Sequence, residues 1–352
     1  MELDTKQPVM VTGATGYVAG WLIKRLLEAG FTVHGTVRNP DDSARLQYLY
    51  DLEANSPGTL TLFKADLLDA SAFDAPMAGC AVVFHTASPF TSNITDPQRD
   101  LVKPALHGTR NVLAAVERSE SVTRVVLTSS CAAIYSDNID LKNKGLKAFD
   151  ESVWNTTSSL EHQAYNYSKT LAEREAWAMA EGQSRWQLVV VNPSLVLGPG
   201  INAEATSESF SLMRQLGDGT MKIGAPDWPM GVVDVRDLAE AHLRAAFTPE
   251  AHGRHVISGH DTSFLVIAKL LAPRYGSRYA LPRRQLPKWL AWLAGPLANP
   301  ALTRKMISLN VGHPWHADHS KSVRELGMTY RPLKDTVEDF FEQLIASGQL
   351  NK

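Results

Sequence analysis

The sequence predicts an α/β protein, a doubly wound parallel sheet with a smaller, discontinuous C-terminal lobe. Three observations lead there. The first half alternates short apolar runs with helix-like patterns, the rhythm of βαβ units. Each run is apolar enough to be buried on both faces, as expected of strands covered by helices. With 352 residues, 44% hydrophobic and 20% charged, the chain has the length for two units and is too apolar for disorder.

Residues 8–12 read as a first strand, followed by a glycine-rich turn and an amphipathic helix from Gly16 to Ala29 that Gly30 stops. Strands follow at 32–37, 59–63, 81–86 and 124–128, with helices at 41–51, near Ser71, and at 100–118. A polar loop from Asp137 to Ser159 leads to a long helix, 160–181, and a sixth strand, 187–191, that ends at Asn192-Pro193. Beyond Pro193, Gly and Pro clusters at 198–200, 217–219 and 224–229 mark loops between short elements. Residues 1–192 are therefore expected to form the sheet domain and 193–352 a substrate lobe. Within that lobe, 231–247 is expected to return to the sheet as a strand and helix.

Thirty-five Lys and Arg against 37 Asp and Glu leave a net charge of −2, so neither nucleic acid nor a membrane is expected as a partner. Cys80 and Cys131 are too few for a disulfide framework, and the polar first seven residues lack a signal core, which points to the cytoplasm. The most apolar stretch, Leu286 to Leu297, contains a Lys and two prolines and falls short of the ~20 residues of a membrane span. It reads as a buried helix or as an aromatic lid over a pocket.

The turn Thr12-Gly13-Ala14-Thr15-Gly16-Tyr17-Val18-Ala19-Gly20 lies between the first strand and first helix. There, glycines permit a tight turn and close backbone approach, and the helix N-terminus offers N–H groups to a pyrophosphate. The residue after the second strand selects the cofactor: an acidic side chain binds a ribose hydroxyl, whereas Arg accommodates the 2′-phosphate. Arg38, with Arg45 nearby, points to NADP(H). Tyr165 and Lys169 are four residues apart and share one helical face. A phenol with pKa ~10 needs a neighbouring cation to exchange protons near neutrality. Tyr330 and Lys334 repeat that spacing, but Pro332 interrupts them. The fifth strand ends in Thr128-Ser129-Ser130, at the sheet edge where ligands bind in open α/β folds. His313, His316 and His319 suggest a metal site, but Pro314 breaks the helix that would align them, and no metal is expected.

In order, residues 12–20, Arg38, 64–67, 84–89, 128–130, 165–169 and 192–194 resemble the extended short-chain dehydrogenases/reductases. The likeness is greatest to the branch of dihydroflavonol, cinnamoyl-CoA and related aldehyde and ketone reductases, and it spans nearly the whole chain, including 231–237 and 320–333. The resemblance implies a Rossmann domain and a catalytic triad of Ser130, Tyr165 and Lys169. It places Thr12, Gly13, Thr15, Gly16, Tyr17 and Val18 at the cofactor phosphates, Asp66 and Leu67 near the adenine, Thr86, Ala87 and Ser88 along the dinucleotide, and Pro193 and Ser194 near the nicotinamide. The implied activity is NADPH-dependent reduction of a ketone or aldehyde with a bulky apolar or aromatic portion. Candidate substrate contacts are Phe90, Cys131, Met213 and Trp292, with Trp154, Phe210, Met221, Trp228 and Trp289 behind them. The alternatives are an NAD-retaining sugar-nucleotide epimerase and a non-catalytic NADP-binding regulator.

Overall fold

The computed structural model describes residues 5–88, 94–202, 207–298 and 302–350. Its strands are β1 (Val9–Val11), β2 (Thr32–Val37), β3 (Thr59–Lys64), β4 (Val82–His85), β5 (Arg124–Thr128), β6 (Gln187–Pro193), β7 (Leu195–Leu197), β8 (Ala225–Pro226), β9 (Met230–Asp234), β10 (Gly253–Ile257), β11 (His260–Thr262) and β12 (Gln285–Leu286). Seven form a parallel Rossmann sheet in the order β10-β6-β5-β4-β1-β2-β3. Strand order reverses between β1 and β4, so the carboxyl ends of these two strands open the crevice where such sheets bind ligands. One sheet face packs Val9, Val33, Phe84, Val126 and Val189 with Leu22 and Leu26 of the helix Tyr17–Glu28, and the other packs Met10, Val83, Val125 and Val190 with Val112 and Val116 of the helix Lys103–Arg118.

The smaller lobe has its own core, in which Phe210, Met213, Leu271, Phe340 and Phe341 are buried. The return of 231–247 differs from expectation. The helix Val235–Phe247 joins the first core through Leu238, Ala239 and Leu243, but β9 pairs with β7 and β11 in a separate three-stranded sheet. The seventh strand of the main sheet is instead β10, further along the chain.

Two corrections bear on the site. The expected polar loop 137–159 buries Asp137, Asn138 and Asp140 and contains a short helix, Ile139–Asn143. Buried carboxylates there replace water as acceptors: Asp140 Oδ2 takes the Ser136 N–H at 3.0 Å and the Thr157 hydroxyl at 2.7 Å. The long helix begins at Ala164, not Leu160, because Ser159 and His162 close a tight turn and Gln163 is left-handed at φ 56°. Tyr165 therefore sits in the first helical turn, fixed by how the chain enters the helix.

Candidate active site

The crevice is a cleft of about 1640 Å³. At one end, Gly13 has φ +67°, and a Cβ there would stand 3.0 Å from that of Ala87, so both conformation and closeness require glycine. Thr12 is buried beneath the cleft, where its hydroxyl accepts the Ala87 N–H at 3.0 Å and hydrogen-bonds His85 Nδ1 at 3.0 Å. The Thr86 hydroxyl donates to the Thr12 carbonyl. The helix Tyr17–Glu28 starts at Gly16 without a side-chain cap, leaving its first N–H groups for a ligand. Thr15, Gly16, Tyr17 and Val18 all line the cleft. Tyr17 also ties the lobes together, donating to the Gly198 carbonyl and packing edge-on against Phe210.

Arg38 and Arg45, both exposed, flank the same end with Asp66 and Leu67. Thr86, Ala87 and Ser88 line the middle, and Pro193, the last residue of β6, lines the cleft with Ser194 after it. Among the described residues Ser194 Oγ is buried without a hydrogen-bond partner, which normally marks a group awaiting one. That orphaned hydroxyl, the side-chain-free approach at Gly13 and the two exposed guanidinium groups fit a phosphorylated dinucleotide.

Ser130, Tyr165 and Lys169 meet on the cleft wall. Ser130 precedes the short turn Cys131–Ala133, its Oγ accepting the Ala132 N–H at 3.1 Å. Tyr165 keeps 37% of its surface open, and Lys169 Nζ lies 5.9 Å from its ring centroid. Loss of water around the phenol and then the Glu208 carboxylate push the Tyr165 pKa up to about 12, while the Ser130 side chain works against this. Burial lowers Lys169 to about 8, opposed by Glu173. In the free protein Tyr165 is thus held in its acid form. His85, held down to about 3 by burial and then by the Lys169 charge, is neutral.

Beneath this wall lies a network that the sequence reading missed. Glu173, one turn beyond Lys169, accepts from the Ser129 hydroxyl at 2.5 Å, Asn192 Nδ2 at 2.8 Å and Arg254 Nε at 2.6 Å. It ties the ends of β5 and β6, and β10, to the helix that carries Tyr165 and Lys169. Its four-residue offset from Lys169 was the available signal. The cleft residues Tyr135, Asn166, Leu195, Val196, Ser207 and Glu208 were also missed.

Of the candidate substrate contacts, Cys131 lines the cleft, but its thiol donates to the Asn192 carbonyl at 3.3 Å, and burial pushes its pKa to about 12. Met213 is 1% exposed in the lobe core beside Phe210, and Trp292 is 40% exposed outside the cleft with Arg304 over its ring. Phe90 lies outside the described residues. Trp154 is stacked by Arg174 and Arg254, Trp228 packs against a small cluster around Ala291, and Met221 borders the lobe core. Trp289 is 68% exposed. Tyr330 bonds Ser322 instead of pairing with Lys334. The three histidines diverge: His313 bonds the Ser308 carbonyl, His316 bonds Asp261, and His319 packs on Tyr330.

The sequence profile of the NAD dependent epimerase/dehydratase family matches residues 9–258. A cinnamoyl-CoA reductase, CAD2, of Medicago truncatula is 34% identical over 346 residues, covering 96% of this chain and 97% of that protein. The crystal structure of yeast methylglyoxal/isovaleraldehyde reductase Gre2 complexed with NADPH superposes with a TM-score of 0.76 at 26% identity, covering 97% of this chain and 100% of that one. Vestitone reductase from alfalfa, Medicago sativa, gives 0.74 at 25% identity, covering 98% and 100%.

Proposed function

This chain belongs to the NAD dependent epimerase/dehydratase family, and from that premise we propose that it is an NADPH-dependent carbonyl reductase. Its substrate is a ketone or aldehyde with a bulky apolar, aromatic portion. The observation that carries the reading is the meeting of Ser130, Tyr165 and Lys169 in one cleft with Arg38 and Arg45. The names of its relatives, reductases of carbonyl compounds with one captured on NADPH, support it.

The chain holds the cofactor through the Gly13–Val18 turn at the phosphates, Arg38 and Arg45 at the 2′-phosphate, Asp66 and Leu67 at the adenine, and the free Ser194 hydroxyl at the nicotinamide end. Thr86, Ala87 and Ser88 run along its middle. NADPH, when bound, supplies the hydride. The Ser130 hydroxyl holds the carbonyl oxygen, and Tyr165 donates its proton to that oxygen as negative charge develops. A phenol kept in its acid form suits a proton donor. Lys169, buried and close behind, binds the ribose and repays the charge left on Tyr165. The cleft exceeds the roughly 300–1000 Å³ of an ordinary ligand pocket, leaving room beside the cofactor for a sizeable substrate. The apolar side chains of Tyr135, Leu195 and Val196 line it.

The test is oxidation of NADPH with a panel of aromatic ketones and aldehydes, run beside nucleotide sugars. Turnover of the carbonyl panel alone is expected. Conversion of a nucleotide sugar without net cofactor oxidation would replace the reading with an epimerase, and cofactor binding without any turnover would leave a regulator.

A further inference from the structure

The net charge of −2, from which no membrane partner is expected, conceals a local imbalance. Between Thr262 and Ala317 the chain carries eight Lys and Arg and no Asp or Glu. Among the described residues only Arg274 of the eight is ion-paired, with Glu342. The helix Lys288–Ala298 lies within this stretch, and its packing is inverted. Small residues face the protein: Ala291 is 6% exposed, and a Cβ on Gly295 would come within 2.7 Å of the Ile307 side chain. Large ones face out, with Trp289 68%, Trp292 40%, Leu293 51% and Leu297 87% exposed. Positions 289, 293 and 297 recur every four residues beside 292, so the four form one apolar stripe. A helix serving only the core would turn these side chains inward. Cations flank the stripe along the chain. The Arg304 guanidinium stands 4.6 Å from the Trp292 ring centroid, Lys288 opens the helix, and Arg283, Arg284 and Lys305 are exposed.

We propose that this helix is a peripheral docking surface for an anionic lipid membrane. Trp289, Trp292, Leu293 and Leu297 enter the boundary between headgroups and acyl chains, while Arg284, Lys288, Arg304 and Lys305 meet acidic headgroups, as in helices that lie in the plane of the interface. At 11 residues the helix lies on a bilayer and does not cross it. A second copy of the chain would cover the same stripe only by bringing two sets of flanking cations together, which like-charge repulsion opposes. None of the four apolar side chains lines the cleft, so the inference is independent of the reaction proposed above.

The experiment sediments the full chain with vesicles of phosphatidylcholine alone and of phosphatidylcholine with phosphatidylserine, at low and high salt. Binding to the serine-lipid vesicles, weakened by salt, is expected, with little binding to phosphatidylcholine alone. The double variant W289S/L293S should partition at least about tenfold less, since each buried side chain contributes on that scale, with thermal unfolding unchanged. A second double variant, R304E/K305E, should lose the preference for the anionic lipid. No binding to anionic vesicles at low salt overturns the proposal, as does equal binding by both variants. It also fails if light scattering finds a dimer that W289S/L293S dissociates while the parent protein ignores vesicles.

Discussion

Asp137 is expected to set the position of Tyr165 without touching substrate. Its carboxylate is 2% exposed and receives His162 Nε2 at 2.6 Å, Asn310 Nδ2 at 2.6 Å and Gln163 Nε2 at 3.1 Å. Gln163 is the residue at φ 56° that turns the chain into the helix two positions before Tyr165. A left-handed conformation costs a non-glycine residue roughly 1–2 kcal/mol. Hydrogen bonds to a buried carboxylate, at about 1.5–3 kcal/mol each, are enough to hold it. In Asp137→Asn the charge is lost and one oxygen becomes an NH₂ donor: facing the Gln163 and Asn310 amides it breaks both bonds, and facing His162 it forces the ring into the tautomer that accepts at Nε2, so the charge-assisted hold on Gln163 weakens either way. If Gln163 relaxes, the Tyr165 hydroxyl moves, and a displacement of about 1 Å costs on the order of 100-fold in rate. The prediction is a kcat lower by about 10- to 100-fold with NADPH affinity retained, measured by steady-state NADPH oxidation and cofactor fluorescence titration. Adding Gln163→Gly, which removes the left-handed cost of about 1–2 kcal/mol, should restore about tenfold. A normal kcat in Asp137→Asn, or no gain from the glycine, would refute the reasoning.

Arg38 and Arg45 together should favour NADPH over NADH by about 30- to 1000-fold, after discounting two charge-assisted contacts for exposure. Arg38→Asp should reverse the ratio of kcat/KM values, whereas a parent ratio near unity would make Arg38 an ordinary surface residue. Glu173→Gln leaves the 6% exposed Arg254 without its anion and should cost roughly 3–5 kcal/mol in urea unfolding. Since Glu173 favours the Lys169 ammonium, whose pKa is about 8, the same change should also move the alkaline fall of kcat/KM to lower pH. An unmoved limb would separate Lys169 from that profile. Trp292→Ala should leave the ranking of bulky against small carbonyl substrates unchanged, because the side chain lies outside the cleft. A reordered ranking would bring the helix Lys288–Ala298 over the substrate as a lid.

Strands β1, β4, β5 and β6 were legible because a parallel sheet covered on both faces demands near-continuous apolar runs, such as Val125, Val126 and Leu127, whereas β2 and β3, toward the sheet edge, mix polar residues with apolar ones. β10 was not legible, because Arg254 and His255 interrupt its pattern. Both are buried, and the partners that permit this, Glu173 and Glu325, lie 81 and 70 positions away. The same distance hid the role of Asp137, whose neighbours marked a polar loop and whose partner Asn310 lies 173 positions on. Gly13, Tyr165 and Lys169 could be placed because local spacing fixes their relative geometry. Met213 and Trp292 could not, because an apolar side chain reads alike whether it meets a lobe core, a cleft or solvent. The start of the helix at Ala164 was missed because nothing in Gln163 itself announces a left-handed residue.

The most direct test of the account compares Tyr165→Phe with the parent protein, using one aromatic aldehyde that the parent reduces and measuring NADPH oxidation and NADPH affinity on the same preparations. Removing a single phenolic oxygen that acts only on the reacting carbonyl should abolish turnover and leave cofactor affinity nearly intact. Turnover by Tyr165→Phe at the parent rate would contradict the assignment of Ser130, Tyr165 and Lys169, and with it the reaction proposed for this cleft.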